Sequence, residues 1–340
     1  MARAGAVAVA MRAVRQVGYG AASDVLRPTE VPRPAAGPGQ VLLRVRAAGI
    51  DRGTWHLAAG RPYAVRAALG LRRPRNPAAG LDVAGTVAAL GPGVTGFAVG
   101  DAVFGTARGA FAEYVVARAD RIAPKPARLG FEEAAVLAVS GLTALQGLRD
   151  AGRVRSGQRV LITGASGGVG TYAVQLAKAF GAEVTGVCGP AKADLVRSLG
   201  ADHVIDYTRE DFTRVGVADG RRYDLVLDLA GSTPVARLRS VLEPRGTLVV
   251  AGGEDDGDWL GLGRQFRALV LSPFTRQRLT MLVSRQARAG LDDLAALVDA
   301  GSISPAVGAV FPLEQVPEAL TVLTEGRTAG KIAVAVGTEE

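Results

Sequence analysis

Residues 163–170 combine glycines and small side chains in a pattern that could bind a nucleotide phosphate. The segment reads Thr-Gly-Ala-Ser-Gly-Gly-Val-Gly, follows the apolar residues 160–162 and precedes a stretch with helical spacing of apolar residues. In a strand, glycine turn and helix of this kind, backbone N–H groups and the positive end of the helix dipole face a pyrophosphate. Ala165 replaces the first glycine of the commonest fingerprint, so a glycine-rich turn in another kind of α/β protein is an alternative. We predict that these residues bind a dinucleotide: Ala165, Ser166, Gly167, Gly168, Val169 and Gly170.

The residues after the next strand bear on which nicotinamide cofactor such a turn would bind. Domains that prefer NAD usually carry an Asp or Glu there, which bonds to the ribose 2′-hydroxyl. This chain has Cys188 and Gly189 at that point, and the nearest acidic residue, Asp194, is expected to lie within the following helix. The missing carboxylate favours NADPH.

The chain carries few residues that could bind a metal ion. It has one cysteine and two histidines, His56 and His203. A structural zinc site with four thiolates is impossible, and a catalytic zinc site would need both histidines and a carboxylate. Because His203 is predicted to begin a strand, we expect a metal-free protein whose chemistry comes from its cofactor and from positioning.

The elements around the glycine turn predict an α/β domain with a parallel sheet. Strand-like runs at residues 183–187, 203–206, 224–229 and 247–251 alternate with helical stretches. Right-handed crossovers then place the carboxyl ends of all the strands at one edge, where the cofactor should lie. Residues that follow two of these strands are further candidates for cofactor binding: Ala230, Ala251, Gly252 and Gly253.

The first part of the chain differs in composition and in hydrophobic pattern from the part that follows it. It is rich in glycine and proline, and its short apolar runs predict a mainly antiparallel β domain. Residues 306–336 return to strand-like runs around a helix, and we expect them to fold back onto this domain. The predicted division is a β domain of residues 11–134 and 305–340, a nucleotide-binding domain of residues 135–304, and an N-terminal extension of residues 1–10.

Composition restricts the class of protein. The chain is 48% hydrophobic, has no apolar stretch of membrane-spanning length, and its short alanine-rich start lacks the pattern of a signal peptide. We therefore expect a cytoplasmic protein, and the single Cys188 rules out an intrachain disulfide. The net charge of +8 could favour nucleic acid, but the arginines are scattered without interleaved aromatic residues, so nucleic-acid binding is not expected.

Several motifs in order resemble a known family. They are residues 38–42 (Pro-Gly-Gln-Val-Leu), 80–85 (Gly-Leu-Asp-Val-Ala-Gly), 99–105 (Val-Gly-Asp-Ala-Val-Phe-Gly), 109–115 (Gly-Ala-Phe-Ala-Glu-Tyr-Val), 141–144 (Gly-Leu-Thr-Ala), the glycine turn, 198–202 (Ser-Leu-Gly-Ala-Asp) and 330–331 (Gly-Lys). Over nearly all of residues 11–336 the chain resembles zinc-independent medium-chain dehydrogenases/reductases of the quinone oxidoreductase (zeta-crystallin-like) branch. Zinc members of that superfamily carry a histidine where this chain has Leu81.

The resemblance implies a fold, an activity and an assembly. It implies a GroES-like β domain joined to a Rossmann domain with a doubly wound parallel sheet. It further implies NADPH-dependent reduction of quinones, 2-alkenals or enoyl substrates by a homodimer or homotetramer that is joined through the Rossmann domain. Residues 279–283 are our candidate for the edge strand that pairs across the two-fold axis, and an ordinary internal strand is the alternative.

The resemblance also assigns residues to the cofactor. Lys192 matches the family lysine that pairs with the 2′-phosphate, and Tyr207 matches a position that packs near it. Thr143 matches a position near the nicotinamide carboxamide, and Lys331 belongs to the last shared motif. Gly189 departs from the serine that is frequent there, Cys188 is expected to pack against the adenosine, and a solvated lysine is the alternative for Lys192.

The segment that faces the substrate in this family corresponds to residues 48–56. It departs from the family pattern at Asp51 and at the three residues after it, so we expect a more flexible and more charged loop. Asp51 near the nicotinamide would favour hydride donation, or it could pair with other loop charges. His56 and Tyr63 are candidate proton donors, although His56 could instead be a hydrogen-bonded wall residue.

The leading hypothesis is an NADPH-dependent reductase of quinones or α,β-unsaturated carbonyl compounds. The unusual segment from Asp51 to His56 motivates a narrower alternative, a tailoring reductase of a secondary-metabolite intermediate. A third hypothesis, a non-catalytic NADPH- or RNA-binding protein, has only the basic charge in its favour.

Overall fold

A computed structural model describes residues 9–214, 222–252 and 263–337. Gly253 and most of the N-terminal extension lie outside the described residues. Within the described part there are three sheets: a mixed sheet formed by both ends of the chain, a parallel sheet formed by its middle, and a two-stranded sheet in which residues 10–16 pair with residues 26–32. No helix of the described ranges is long and apolar enough to span a membrane.

The N-terminal part is built mainly from antiparallel strands. Its strands are β1 (Ala10–Gln16), β2 (Leu26–Pro32), β3 (Gln40–Ile50), β4 (Asp82–Leu90), β5 (Ala102–Thr106), β6 (Tyr114–Arg118) and β7 (Ile122–Pro124). Its helices are α1 (Ala22–Val25), α2 (Arg52–Ala59) and α3 (Val65–Leu69). The central strand β3 pairs antiparallel with β4 and with β6, which confirms the predicted antiparallel domain.

The middle of the chain alternates strands and helices. Two helices lead into it, α4 (Phe131–Ala134) and α5 (Ala138–Leu145), and α5 continues as the π-helical turn Gln146–Ala151. The strands are β8 (Arg159–Thr163), β9 (Glu183–Cys188), β10 (His203–Asp206), β11 (Tyr223–Asp228), β12 (Leu242–Val250) and β13 (Arg278–Met281). The helices are α6 (Gly168–Ala179), α7 (Ala193–Ser198), α8 (Val235–Ser240), α9 (Gly263–Leu271) and α10 (Arg288–Asp299).

The six strands of the middle region form one parallel sheet in the order β10-β9-β8-β11-β12-β13. Both faces of this sheet are buried, since Val160 and Ile162 of β8 belong to one apolar core and Leu161 to another. Burial on both faces explains why these strands are continuous apolar runs. The parallel sheet is confirmed, and β13 lies at its edge.

The last part of the chain returns to the first sheet. β14 (Val307–Pro312) and β15 (Lys331–Ala335) flank helix α11 (Val316–Thr324). β15 pairs antiparallel with β3, with Ile332 opposite Ile50, and β14 pairs with β15. The sheet of the N-terminal part is therefore completed by residues from the far end of the chain.

Candidate active site

The glycine turn joins β8 to α6 and brings its backbone into very close contact with itself. Gly164 has φ +67°, which favours glycine, and α6 begins at Gly168. A Cβ added at Gly170 would lie 2.2 Å from the carbonyl oxygen of Gly164, a distance that no side chain tolerates. Because the first N–H groups of a helix lack partners within the helix, this tight turn is suited to hold a pyrophosphate at the start of α6.

A buried hydrogen-bond network holds the neighbouring strand ends together. The hydroxyl of Thr163 donates to Asp228 over 2.7 Å and accepts the N–H of Ala230 over 3.2 Å. Arg264 pairs with the same carboxylate over 2.6 Å and donates to the carbonyl of Gly252 over 3.3 Å. The network positions the loops that follow β11 and β12 beside the glycine turn. Sequence reasoning missed Asp228 and Arg264, because their partners are distant along the chain.

Beside the glycine turn, at the carboxyl ends of β8, β9 and β11, lies a cavity of about 960 Å³. Sequence-predicted cofactor residues line it: Ser166, Cys188, Gly189, Lys192, Tyr207 and Ala230. A Cβ added at Gly189 would lie 3.6 Å from the hydroxyl of Tyr207, so that the two positions are neighbours. Arg209 and Arg237 line the same cavity, and the sequence motifs did not point to them.

Lys192 and Cys188 line the same cavity with different chemical groups, an ammonium group and a thiol. The ammonium group of Lys192 donates to the carbonyls of Gly326 over 3.0 Å and Thr328 over 2.8 Å. Partial burial lowers the pKa of Lys192. Burial raises the pKa of the Cys188 thiol, which favours its neutral form over a nucleophilic thiolate.

The segment expected to be a flexible loop is a helix. Asp51 is the N-cap of α2, and its Oδ1 accepts from the backbone N–H of Thr54 over 2.8 Å and from its hydroxyl over 3.1 Å. An aspartate cap satisfies an otherwise unpaired N–H and favours the start of a helix. The expectation of a loop was wrong, because the side chain of Asp51 caps a helix that begins at Arg52.

The remaining candidate side chains lie around this helix and on α5. The rings of His56 and Trp55 are 4.7 Å apart between centroids, and His56 is half-buried. Arg66 packs over the ring of Tyr63 at 4.7 Å from its centroid. Thr143 lies on α5 and donates its hydroxyl to the carbonyl of Val139 over 2.7 Å.

A buried polar cluster connects the mixed sheet to helices α5 and α6. The ammonium group of Lys331 donates to the hydroxyl of Ser140 over 2.9 Å and lies 3.7 Å from Oδ2 of Asp82. The other oxygen of Asp82 accepts from the N–H of Val139 over 2.9 Å. A Cβ on Gly168 would lie 2.8 Å from Cδ of Lys331, so this lysine packs against the first residue of α6. Sequence reasoning missed Asp82, although it lies in one of the shared motifs.

The donor set around Leu81 does not suit zinc. Leu81 has no atom that could bind a metal, and His203 lies on the edge strand β10, where it bonds to Glu183 over 3.1 Å. Across the described ranges, no three side chains of the types His, Cys, Asp or Glu lie together as a metal site requires.

Comparison with known proteins identifies the family. Residues 37–127 match the model of the alcohol dehydrogenase GroES-like domain, and residues 199–334 match that of a zinc-binding dehydrogenase. The quinone-oxidoreductase QR1 of Triphysaria versicolor is 34% identical, over 95% of this chain and 98% of its own length. The chain belongs to the medium-chain dehydrogenases/reductases, in their quinone oxidoreductase branch.

Solved structures of this branch and of related proteins agree with that assignment. The quinone oxidoreductase from Coxiella burnetii superimposes with a TM-score of 0.86 at 28% identity, over 97% of this chain and all of its own. Mycobacterial Rv1454c, solved in complex with NADPH, gives a TM-score of 0.80 at 28% identity, over 96% of this chain and all of its own. This medium-chain dehydrogenase/reductase is therefore an oxidoreductase with a nicotinamide cofactor, and the predicted family and the GroES-like and Rossmann folds are confirmed.

Proposed function

We propose that the protein transfers a hydride from NADPH to a quinone or to an α,β-unsaturated carbonyl compound without a metal ion. The main support is the part of the cavity where Lys192 and Tyr207 lie beside Gly189, together with the lack of a carboxylate between Cys188 and Asp194 in the sequence. An ammonium group paired with a 2′-phosphate would contribute on the order of 1.5–3 kcal/mol, or tenfold or more in preference for NADPH over NADH.

Several residues at the start of α6 and at the ends of the parallel strands would hold this cofactor. The close contact between Gly170 and Gly164 leaves room for a pyrophosphate at the start of α6, and Ala230, Ala251 and Gly252 follow the adjacent strands. The methylene chain of Lys331 packs behind Gly168, and its ammonium group donates to Ser140 beside the start of α6. When bound, NADPH supplies the hydride.

The groups around α2 would act on the substrate. The carboxylate of Asp51, which also caps α2, would stabilise the cationic, oxidised nicotinamide. His56 or Tyr63, or solvent, would protonate the substrate after hydride transfer. Leu81 provides no metal ligand, so hydrogen bonds from side chains or water would polarise the substrate carbonyl.

We propose a homodimer, or a homotetramer built from it, joined through the edge strand β13. An edge strand presents unpaired N–H and C=O groups that a second copy can complete. Val283, at the end of our candidate segment, is 63% exposed. Light scattering on the native protein and on Val283→Asp tests the interface, since a buried pair of carboxylates should favour the monomer; an unchanged mass would exclude Val283 from it.

The first experiment compares NADPH and NADH as donors to a naphthoquinone, a trans-2-alkenal and a cyclic enone. Loss of absorbance of the reduced nicotinamide measures turnover. We expect faster turnover with NADPH, and the preferred acceptor identifies the substrate class. Turnover that required added zinc and stopped with a chelator would contradict a metal-free mechanism.

A tailoring reductase of a secondary-metabolite intermediate is the second candidate, favoured by the departure of residues 51–54 from the family pattern at the start of α2. Slow turnover of every simple acceptor together with tight NADPH binding would favour it. Fast turnover of the naphthoquinone would argue against it.

A further inference from the structure

An uninterrupted basic segment follows Asp51. Residues 52–81 contain six arginines and neither an aspartate nor a glutamate. Three of these arginines, Arg72, Arg73 and Arg75, are exposed. A stretch of thirty residues with one sign of charge produces a positive potential over whatever surface it covers.

Arg108, which is distant in the chain, lies near this segment in the folded protein. Burial raises the pKa of Tyr19, and the positive charges of Arg66, Arg108 and Arg75 oppose that change. The Tyr19 hydroxyl donates to the carbonyl of Gly70 over 2.8 Å. Arg66 lies over the Tyr19 ring at 4.6 Å from its centroid.

Arg108 lines an apolar pocket of about 250 Å³, and Arg75 stands between Pro74 and Asn76, which line it as well. The pocket is also lined by aliphatic side chains, among them Leu57, Leu69 and Leu81. Among the described residues, no carboxylate lines it.

The pocket adjoins the candidate active site. Thr54, which binds Asp51, contributes to its wall, and Leu81 directly precedes the buried Asp82. An apolar chain in the pocket would therefore join the reacting end of a substrate to the arginines at the rim.

We infer that the substrate is an α,β-unsaturated carbonyl compound with an apolar chain that ends in a phosphate, which binds at the rim formed by Arg75 and Arg108. This inference rests on the proposed reductase function and names its substrate class. A phosphate suits the rim because it carries nearly two negative charges and three acceptor oxygens, which guanidinium groups match well.

The test uses two alkenals that differ only in a terminal phosphate group. ω-Hydroxy-trans-2-hexenal and its phosphate monoester are compared as acceptors at saturating NADPH, so that the cofactor cleft is filled. We expect kcat/KM to be at least tenfold higher for the phosphate ester, and this ratio to fall with added salt. In Arg75→Gln/Arg108→Gln the ratio should fall by about threefold to tenfold, since exposed charge pairs are weak individually.

Arg155→Gln/Arg245→Gln is the matched control, because it also removes two charges, from exposed positions before β8 and on β12 of the other sheet. Its ratio should equal that of the native protein. A native ratio near one would overturn the inference, as would an equal fall in the control, which would indicate only the net charge of the protein. Arg108→Gln alone replaces the double variant if the latter does not fold.

A second measurement distinguishes failure of this inference from failure of the proposed reductase function. If neither alkenal is reduced, calorimetric titration of both into the NADP⁺-saturated protein tests the rim directly. Tighter binding of the phosphate ester that is lost in the Arg108→Gln variant would support the rim, and equal binding of the two compounds would overturn it.

Discussion

The ammonium group of Lys331 lies 3.7 Å from the carboxylate of Asp82, and both side chains are fully buried. Strand pairing produces this contact, because β15 places Ile332 opposite Ile50 and β4 places Asp82 opposite Gly49. The pKa of Asp82 is raised to about 7: burial is the main cause, Lys331 opposes it, and the negative charge of Asp51 adds to it. A buried pair of this kind contributes little to stability but fixes the position of its neighbours. Here the neighbours are Ser140 on α5 and Gly168 at the start of α6.

Asp82→Asn should change the pH dependence of folding. The folded-state pKa of about 7 exceeds the unfolded value of about 3.9, so the folded protein holds this proton more tightly. The stability from the protonated carboxyl is fully present below about pH 4 and is lost as pH rises to about 7. The free energy of unfolding of Asp82→Asn, relative to the native protein, should therefore rise over this range by up to about 1.4 kcal/mol per pH unit. Urea unfolding at a series of pH values measures it.

Asp202→Asn serves as the control for this pH series. Hydrogen bonds from Lys178 and from the N–H of Val184 lower the pKa of Asp202 despite its partial burial. Its contribution is therefore lost only in more acid solution, and no rise should occur above about pH 5. Parallel curves for the native protein and Asp82→Asn would show that Asp82 does not titrate in this range.

Lys192→Ala should weaken the binding of NADPH more than that of NADH. Loss of a charge-assisted bond to the 2′-phosphate should raise the KM for NADPH by about tenfold or more and leave the KM for NADH within about twofold. Steady-state kinetics with both cofactors measures this. Lys178→Ala, which removes a lysine paired with Asp202 outside the cleft, should alter neither value. Equal losses with both cofactors would remove Lys192 from the phosphate site.

Gly170→Ala should disrupt the cofactor turn. Its Cβ would lie 2.2 Å from the carbonyl oxygen of Gly164, and relief requires a backbone shift that costs about 1–3 kcal/mol. Thermal unfolding and NADPH binding measure the effect. Gly167→Ala is the matched control for thermal unfolding, because the nearest atom to its Cβ would be 3.3 Å away. Similar behaviour of the two variants would contradict a steric origin.

Substitutions at Asp51 should separate capping of α2 from the effect of its charge. Asp51→Ala should lower the free energy of unfolding by about 1 kcal/mol, because it removes the bond to Thr54. Asp51→Asn retains a good cap without the charge, so its stability should be close to native. If the charge assists hydride transfer, kcat should fall in both variants, as stopped-flow kinetics would show. Native kcat in Asp51→Asn would restrict Asp51 to capping.

The sequence by itself determined the parallel sheet and the glycine turn. Both depend on local patterns: continuous apolar strands such as residues 160–162, and glycine spacing that a short turn requires. The lack of zinc ligands also follows from a count of residue types. The cap of Asp51 was present in the sequence as well, in its spacing from Thr54, but the family pattern suggested a loop.

Only the tertiary structure decided which distant residues meet. Lys331 reaches Ser140 across 191 positions of the chain, and Arg108 joins the arginines that follow Asp51. Such contacts depend on strand order and register, which the pairing of β15 with β3 sets. Burial then determines their chemistry, because the same carboxylate that would ionise readily in water has a pKa of about 7 at Asp82.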